Sequence, residues 1–238
     1  MAEITGVFFD LDDTLFDATG LAKKARRAAI ESMIEKGLPD ISPEEGCDIL
    51  GEIVREFGSN FNRHFDMFLR RLGVKENTTK YISVAVITYH RIKVQEIKLY
   101  PDVFEFLQKM RNMTSCNMGI ITDGLPLKQY EKVLRLGLDS FIDDVFISDE
   151  MGIRKPNPEL FCSVLQKTSI KCENALYIGD RFYHDMVPAH EAGMSTCLIH
   201  RDGKYDVTLN TDQKATVDFE VTTLDELWPM IRSRVPSK

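Results

Sequence analysis

The sequence has no surplus of basic residues and no long hydrophobic run. Its 238 residues carry 30 lysines and arginines against 37 aspartates and glutamates, which gives a formal net charge of −7. This balance disfavours nucleic-acid binding, because a nucleic-acid partner requires a basic surface. No apolar stretch approaches the length that spans a bilayer, so we expect no membrane partner.

The sequence also lacks a Cys-x-x-Cys pair. Its five cysteines are scattered and odd in number, and we interpret them as reduced thiols of a cytoplasmic protein. No signal-peptide pattern opens the chain, because the first apolar stretch is short and leads straight into aspartates. Apolar residues make up 43% and charged residues 28% of the chain, as expected for a folded globular protein.

Helical and strand patterns occupy different parts of the chain. Between residues 17 and 98, apolar residues recur at helical spacing, and Ser42 followed by Pro43 is a typical helix start. From residue 99 onward, short apolar runs alternate with helical segments, which predicts parallel strands joined by crossover helices. The sequence therefore predicts an α/β fold with a doubly wound parallel sheet in residues 1–16 and 99–238. An all-helical domain, 17–98, is inserted after the first strand.

The first predicted strand ends in a cluster of acids. Asp10 and Asp12 are two residues apart, so an extended backbone projects both from one face. Like charges held this close repel each other, and a divalent cation with oxygen ligands would compensate them. A strand that runs into an Asx-rich turn is the structural alternative, but it accounts for one aspartate better than for three.

Three later strand ends also carry polar residues. In a doubly wound sheet, ligands bind at the carboxyl ends of the strands. These ends hold, in chain order, Thr122 with Asp123 and Gly124, then Lys155, then Asp180 with Asp185 nearby. Taken singly, an Asp-Gly pair is a common turn and Asp185 could cap a helix. Taken together, four strand ends that supply acid, hydroxyl or ammonium groups favour a functional site.

This ordered set of residues resembles the haloacid dehalogenase-like hydrolase superfamily. The four motifs of the superfamily match residues 10–14, Thr122, Lys155, and Gly179–Asp180 with Asp185. The resemblance covers nearly the whole chain, since a helical cap inserted after the first motif is typical of one large subgroup. It implies a Rossmann-like core. Asp149 and Asp123 depart from the family pattern, where Glu and Asn are frequent, and these departures bear on substrate contacts rather than on the chemistry.

The resemblance implies a magnesium-dependent phosphatase that acts through an aspartyl-phosphate intermediate. Its substrate would be a small anionic phosphomonoester such as a triose, glycolate or sugar phosphate. Asp10 would be the nucleophile and Asp12 the acid–base residue. The Mg²⁺ ligands would be the Asp10 carboxylate, the backbone carbonyl of Asp12, and Asp180.

The resemblance also assigns supporting roles. Four residues would bind the phosphoryl group: Thr122, Asp123, Gly124 and Lys155. Thr14 would support the turn at Asp12, and Asp185 would orient a metal-bound water or Lys155. The helical domain would act as a cap that selects the substrate, and we hypothesise that Arg63 and Asn62 contact it, although a solvated helix start is the structural alternative for both.

The residue Asp12 bears on the reaction class. Dehalogenases and phosphonatases of the superfamily replace it, so both reactions are disfavoured here. A phosphomutase of the same superfamily and a non-catalytic regulatory protein on the same fold stay open as alternatives. A calcium-binding EF-hand loop starting at Asp10 is excluded, because Leu15 occupies the position that requires glycine. The sequence does not indicate an oligomeric state.

Overall fold

The computed structural model of the protein describes residues 2–38, 41–203 and 205–238. It divides into two compact units. The α/β unit comprises Met1–Asp17 and Lys98–Lys238, and the helical unit comprises Ala18–Ile97. No helix in the described ranges is long and apolar enough to cross a membrane.

The described residues of the helical unit form four helices. They are α1 (Ala18–Glu35), α2 (Pro43–Phe57), α3 (His64–Arg71) and α4 (Thr78–Glu96). Ser42 caps α2 as predicted, since its hydroxyl accepts a hydrogen bond from Glu45 N at 3.2 Å. The core is apolar and includes Ile30 and Phe68, both fully buried. The amphipathic pattern of the sequence thus accounts for the packing of this unit.

The α/β unit is built on a six-stranded parallel sheet. The strands are β1 (Gly6–Phe9), β2 (Asn117–Thr122), β3 (Asp144–Ile147), β4 (Ala175–Gly179), β5 (Ser195–Ile199) and β6 (Phe219–Val221). Their order is β3-β2-β1-β4-β5-β6, and every neighbouring pair is parallel. The chain moves outward from β1 to β3 and returns to the other side of β1, which places the topological switch between β1 and β4. The predicted doubly wound sheet is confirmed.

Helices cover the sheet. They are α5 (Val103–Met113), α6 (Pro126–Arg135), α7 (Ser148–Met151), α8 (Pro158–Thr168), α9 (Val187–Glu191), α10 (Thr211–Lys214) and α11 (Leu224–Ile231). All residues of β1 and β4 are buried, which explains why the central strands read as continuous apolar runs rather than as alternating ones.

One predicted helix differs in its first turn. The sequence predicts a helix from about Asp185 to Ala192, whereas the chain forms a π-helical turn over Phe182–Met186 before α9 begins. Apolar periodicity does not distinguish a π turn from an α turn over so few residues. The difference matters because π turns often occur at functional sites, and this one contains Asp185.

Candidate active site

Polar side chains collect at the carboxyl ends of the central strands. Asp10 follows β1, and its backbone N–H continues the ladder by donating to Ile178 O at 2.8 Å. Thr122 is the last residue of β2, and Asp180 follows β4 directly. Because these strands are parallel neighbours, their ends meet at one edge of the sheet, at the topological switch.

A cluster of three buried carboxylates lies at this edge. Asp10, Asp180 and Asp185 each place a carboxylate oxygen within 4.8 Å of the other two. They are 6%, 5% and 0% exposed, respectively. The structure therefore brings together the predicted nucleophile, a predicted metal ligand and a predicted supporting residue.

Lys155 supplies positive charge to this cluster. Its Nζ donates to Asp10 Oδ1 at 2.5 Å and to Asp185 Oδ1 at 2.7 Å. The same ammonium donates to the hydroxyl of Tyr177 at 3.1 Å. Three partners fix the Lys155 head group, so the residue predicted to bind phosphoryl oxygens is held beside the predicted nucleophile.

The position of Asp185 depends on the glycine that ends β4. A Cβ atom at Gly179 would lie 2.7 Å from Asp185 Cγ, so a larger residue there would displace the carboxylate. The π turn brings the Asp185 side chain back to the strand end, where Oδ2 accepts from Arg181 N at 3.0 Å. The Gly-Asp motif of the sequence thus serves the packing of a second aspartate five residues later.

The residues predicted to bind phosphate lie at the end of β2, on the loop after it and on the loop that carries Lys155, and a hydrogen bond connects the two loops. Thr122 is 1% exposed at the end of β2. Gly124 N donates to Ser148 Oγ at 3.2 Å, and Lys155 N donates to Asp123 Oδ1 at 3.2 Å. Asp123 therefore connects the loop after β2 to the loop that carries Lys155.

Asp12 and Thr14 lie in different surroundings from Asp10. The carboxylate of Asp12 is not part of the buried cluster and accepts from Lys132 Nζ at 2.7 and 2.6 Å. The Thr14 hydroxyl donates to Asp180 Oδ1 at 3.4 Å. Thr14 thus links the first motif to the last. Support of the turn at Asp12, which the resemblance implies for Thr14, stays a prediction.

The cluster carries more negative charge than Lys155 can balance. Burial raises the pKa of Asp10 to about 7, even though Lys155 opposes the shift. Burial, together with the neighbouring Asp10 carboxylate, raises the pKa of Asp180 to about 9. Burial also lowers the pKa of Lys155, but Asp10 and Asp185 outweigh it and the net direction is upward. Without a further cation, the cluster therefore holds protons at neutral pH.

These residues fit a divalent cation. Three carboxylates and one ammonium leave a surplus of two negative charges when all are ionised, and the donors are oxygen atoms, which Mg²⁺ prefers. A bound cation would ionise Asp10 and Asp180 outright. Asp10 and Asp180 are the predicted ligands, and the third carboxylate at the site is Asp185, which is also hydrogen-bonded to Lys155.

Several residues of the site were missed by the sequence analysis. Gln129 and Lys132 lie on α6, and Tyr177 lies within β4. The sequence offers one signal for the first two, because their spacing of three places them on one helix face.

Two residues of the helical unit, Asn62 and Arg63, are hypothesised to contact the substrate. Asn62 is exposed, and Arg63 pairs with Asp66 at 3.2 Å.

Comparison with known proteins places the chain in a family. The chain matches the haloacid dehalogenase-like hydrolase family over residues 7–199. It is 43% identical to the glyceraldehyde 3-phosphate phosphatase of Methanopyrus kandleri, over 96% of this chain and 97% of that one. It is 39% identical to the enzyme of the same name from Methanocaldococcus jannaschii, over 97% and 98% of the two chains.

A solved structure supports the fold. The haloacid dehalogenase-type phosphatase of Thermococcus onnurineus superimposes with a TM-score of 0.65 at 23% identity, covering 96% of this chain and 98% of the other. This likeness shows the fold alone. The family match and the relatives together show that the chain belongs to the haloacid dehalogenase-like hydrolase family, as its motifs predicted.

Proposed function

We propose that this protein is a magnesium-dependent phosphatase whose substrate is a triose phosphate, with glyceraldehyde 3-phosphate as the first candidate. The broader statement, that it hydrolyses phosphate esters, follows from its family and from the phosphatases it resembles. The narrower statement, that the substrate is a triose phosphate, is supported by the two relatives named glyceraldehyde 3-phosphate phosphatase. Each of them aligns with this chain over nearly the full length of both sequences. The site supports it because the predicted nucleophile lies against Lys155 in a buried cluster.

The first half-reaction transfers the phosphoryl group to the protein. An Asp10 carboxylate oxygen attacks phosphorus, the bond from phosphorus to the ester oxygen breaks, and Asp12 gives its proton to that oxygen. An alkoxide is a poor leaving group, so a triose phosphate requires this proton. Asp12 is available for this task because its carboxylate lies outside the buried cluster of Asp10, Asp180 and Asp185.

The second half-reaction regenerates the carboxylate. Asp12, now ionised, takes a proton from water as the water oxygen attacks phosphorus. The bond between phosphorus and Asp10 breaks, phosphate leaves, and Asp12 is protonated again. Thr122 and the Lys155 ammonium are placed to donate to the phosphoryl oxygens through both steps.

A bound Mg²⁺ would neutralise the negative charge of the phosphoryl group. Asp10 and Asp180 are the side chains that would hold it, together with the backbone carbonyl of Asp12. Asp185 would keep Lys155 and the site waters oriented. The role of the helical unit as a substrate-selecting cap stays a prediction, as do substrate contacts by Arg63 and Asn62. All five cysteines are unpaired, which supports a cytoplasmic location.

The test is a panel of phosphate esters assayed with Mg²⁺ for released inorganic phosphate. It should include glyceraldehyde 3-phosphate, phosphoglycolate and glucose 6-phosphate. We expect the triose phosphate to show the highest kcat/KM, by about tenfold or more over the other two, a preference that needs only about 1.4 kcal/mol of differential binding.

The matched controls are Asp10→Asn, which removes the nucleophile, and Asp139→Asn, which removes an exposed carboxylate on the same unit. Phosphate release should be lost in the first variant and kept in the second. Equal release by the parent and Asp10→Asn, or no release from any ester, would overturn the phosphatase mechanism. A preference for another ester would overturn the substrate alone.

A further inference from the structure

Helix α6 directs two polar side chains toward the first motif. Gln129 and Lys132 are three residues apart, so they lie one above the other on one helix face. Gln129 is 2% exposed, and the Lys132 side chain is 16% exposed. A glutamine and a lysine this well covered, at the edge of an active site, are more than the solvated face of an amphipathic helix.

Lys132 holds both oxygens of Asp12. Its Nζ lies 2.7 Å from Oδ1 and 2.6 Å from Oδ2, and its position over the Phe16 ring, at 5.9 Å from the ring centre, covers the ammonium from one side. A carboxylate gripped through both oxygens has little freedom to change rotamer. The side chain of Asp12 is therefore fixed by a residue 120 positions later in the chain.

Gln129 connects the same carboxylate to the phosphate-binding loop. Its Nε2 donates to Thr122 Oγ1 at 2.9 Å and to the carbonyl of Asp123, and it lies 3.5 Å from Asp12 Oδ2, so its two amide protons are shared among three acceptors. Because Thr122 Oγ1 accepts from Gln129, its own hydroxyl proton is free to point toward a substrate oxygen. One helix face thus sets the direction of both Asp12 and Thr122.

We propose that Lys132 is a positioning residue for the acid–base carboxylate Asp12, with Gln129 as its partner on α6. The proposal rests on the proposed function, which gives Asp12 its acid–base role. Lys132 does not touch the reacting phosphorus in this scheme. It returns Asp12 to one place between the two half-reactions, so that the same carboxyl group meets first the leaving oxygen and then the attacking water.

The experiment compares two esters in two backgrounds. Glyceraldehyde 3-phosphate requires a proton on its leaving oxygen, whereas p-nitrophenyl phosphate loses a stable phenolate that requires little help. Lys132→Met keeps an unbranched side chain of similar length but removes the charge, and Lys132→Arg keeps the charge. Each is measured in the parent and in Asp12→Asn. Lys128→Met is the matched control, since Lys128 is exposed on the same helix.

We expect Lys132→Met to lower kcat/KM for the alkyl ester by about 10- to 100-fold and for the aryl ester by less than about 3-fold, because kcat/KM reports steps up to departure of the leaving group. Lys132→Arg should recover most of the loss. In the Asp12→Asn background, Lys132→Met should add nothing, since a residue that acts through another loses its effect when that other is removed.

Equal losses for the two esters, or a full additional loss in the Asp12→Asn background, would overturn the positioning role and make Lys132 a structural or phosphate-binding residue. A loss of the same size in Lys128→Met would point to helix stability instead. These outcomes are separate from failure of the proposed function, which would appear as an inactive parent or as an Asp12→Asn variant with unchanged activity toward the alkyl ester.

Discussion

The two units of the molecule treat charge in opposite ways. Among the described residues, the charged residues that are buried all belong to the α/β unit, namely Asp10, Asp102, Lys155, Asp180 and Asp185. The Arg201 side chain, 6% exposed, also belongs to this unit. In the described part of the helical unit, the buried polar side chain is Thr88. Ion pairs are present there too, but their side chains are between 28% and 68% exposed.

This difference separates structural from functional use of charge. Exposed ion pairs contribute little to stability, and a buried pair often contributes less than apolar residues of the same volume would. The helical unit keeps its charged side chains exposed to water and so avoids the free-energy cost of desolvating them. The α/β unit buries three carboxylates around one ammonium, an arrangement that stability alone does not favour. We infer that the proposed catalytic role of these residues is the reason to keep them, and the following predictions test this contrast.

The largest effect is expected from the ammonium at the centre of the buried cluster. Lys155→Met leaves Asp10 and Asp185 without their cationic partner and removes a donor to the phosphoryl group. We expect kcat/KM to fall by at least about 10³-fold, roughly 4 kcal/mol, together with a loss of stability. Lys24→Met is the control, because Lys24 forms a surface pair with Glu96 in the helical unit and is 63% exposed. A decrease below tenfold in Lys155→Met would contradict a central role for the ammonium.

A buried pair outside the cluster tests whether burial alone makes charge costly to disturb. Arg201 Nη1 lies 2.9 Å from Asp102 Oδ2, and the two side chains are 6% and 7% exposed. Arg201→Met leaves the buried Asp102 carboxylate without its cationic partner, although the N–H of Leu224 still donates to it. We expect the free energy of unfolding to fall by about 3 kcal/mol. Urea unfolding followed by the fluorescence of Trp228, the single tryptophan and a residue of the α/β unit, measures it.

The double variant Arg201→Met with Asp102→Leu provides the control for that experiment. It removes both charges, so it should regain most of the stability lost by the single variant. A loss below about 1 kcal/mol in the single variant would show that water reaches Asp102, contrary to its burial.

The residues at the strand ends could be predicted from the sequence, whereas many side-chain contacts between distant elements could not. Asp10, Thr122 and Asp180 could be placed at one edge because apolar runs stop at these residues and parallel topology aligns the carboxyl ends. The cap of α2 by Ser42 was equally predictable, because it depends on four consecutive residues. In both cases the evidence lies close along the chain.

Contacts set by the rotation of a helix or by a buried strand position were not predictable. Lys132 is a cation on an amphipathic helix, and only the fold shows that it faces Asp12 rather than solvent. From the sequence, Tyr177 is expected to be an apolar core residue of β4. In the structure its hydroxyl donates to Asp185 Oδ1 at 3.0 Å. Arg201 follows β5 without any motif. In each case the partner lies far away in sequence or on another element.

A medium effect is expected from pH, through the buried carboxylates. In the cation-free protein the pKa of Asp10 is raised from 3.8 to about 7 and that of Asp180 to about 9, in both cases chiefly by burial. A carboxyl group with a raised pKa binds its proton more tightly when folded. Its stabilising contribution is therefore complete below the unfolded pKa and is lost as pH rises through the folded one.

We therefore expect the free energy of unfolding without cation to fall between pH 5 and 7, as both carboxyl groups come under pressure to ionise, and to fall further toward pH 9. Mg²⁺ should offset this loss, so the rise in Tm that it produces should be larger at about pH 8.5 than at about pH 5.5. Calorimetry with EDTA or MgCl₂ measures both. A Mg²⁺-induced rise of the same size at the two pH values would contradict a cation site at these carboxylates.

The smallest effect is expected in the helical unit, from an arginine-to-methionine substitution. The same substitution at Arg201 of the α/β unit is expected to lower stability strongly. Arg71 lies 3.3 Å from Glu52 and also pairs with Glu56, but its side chain is 31% exposed and those of the glutamates are 59% and 53% exposed. Because water solvates all three groups, Arg71→Met should lower the free energy of unfolding by less than about 1 kcal/mol. Hydrogen exchange of the amides in α2 and α3 measures it within this unit, and added salt should shrink the difference further. A loss above about 2 kcal/mol, comparable to that of Arg201→Met, would mean that position in the fold, rather than burial of charge, separates the two units.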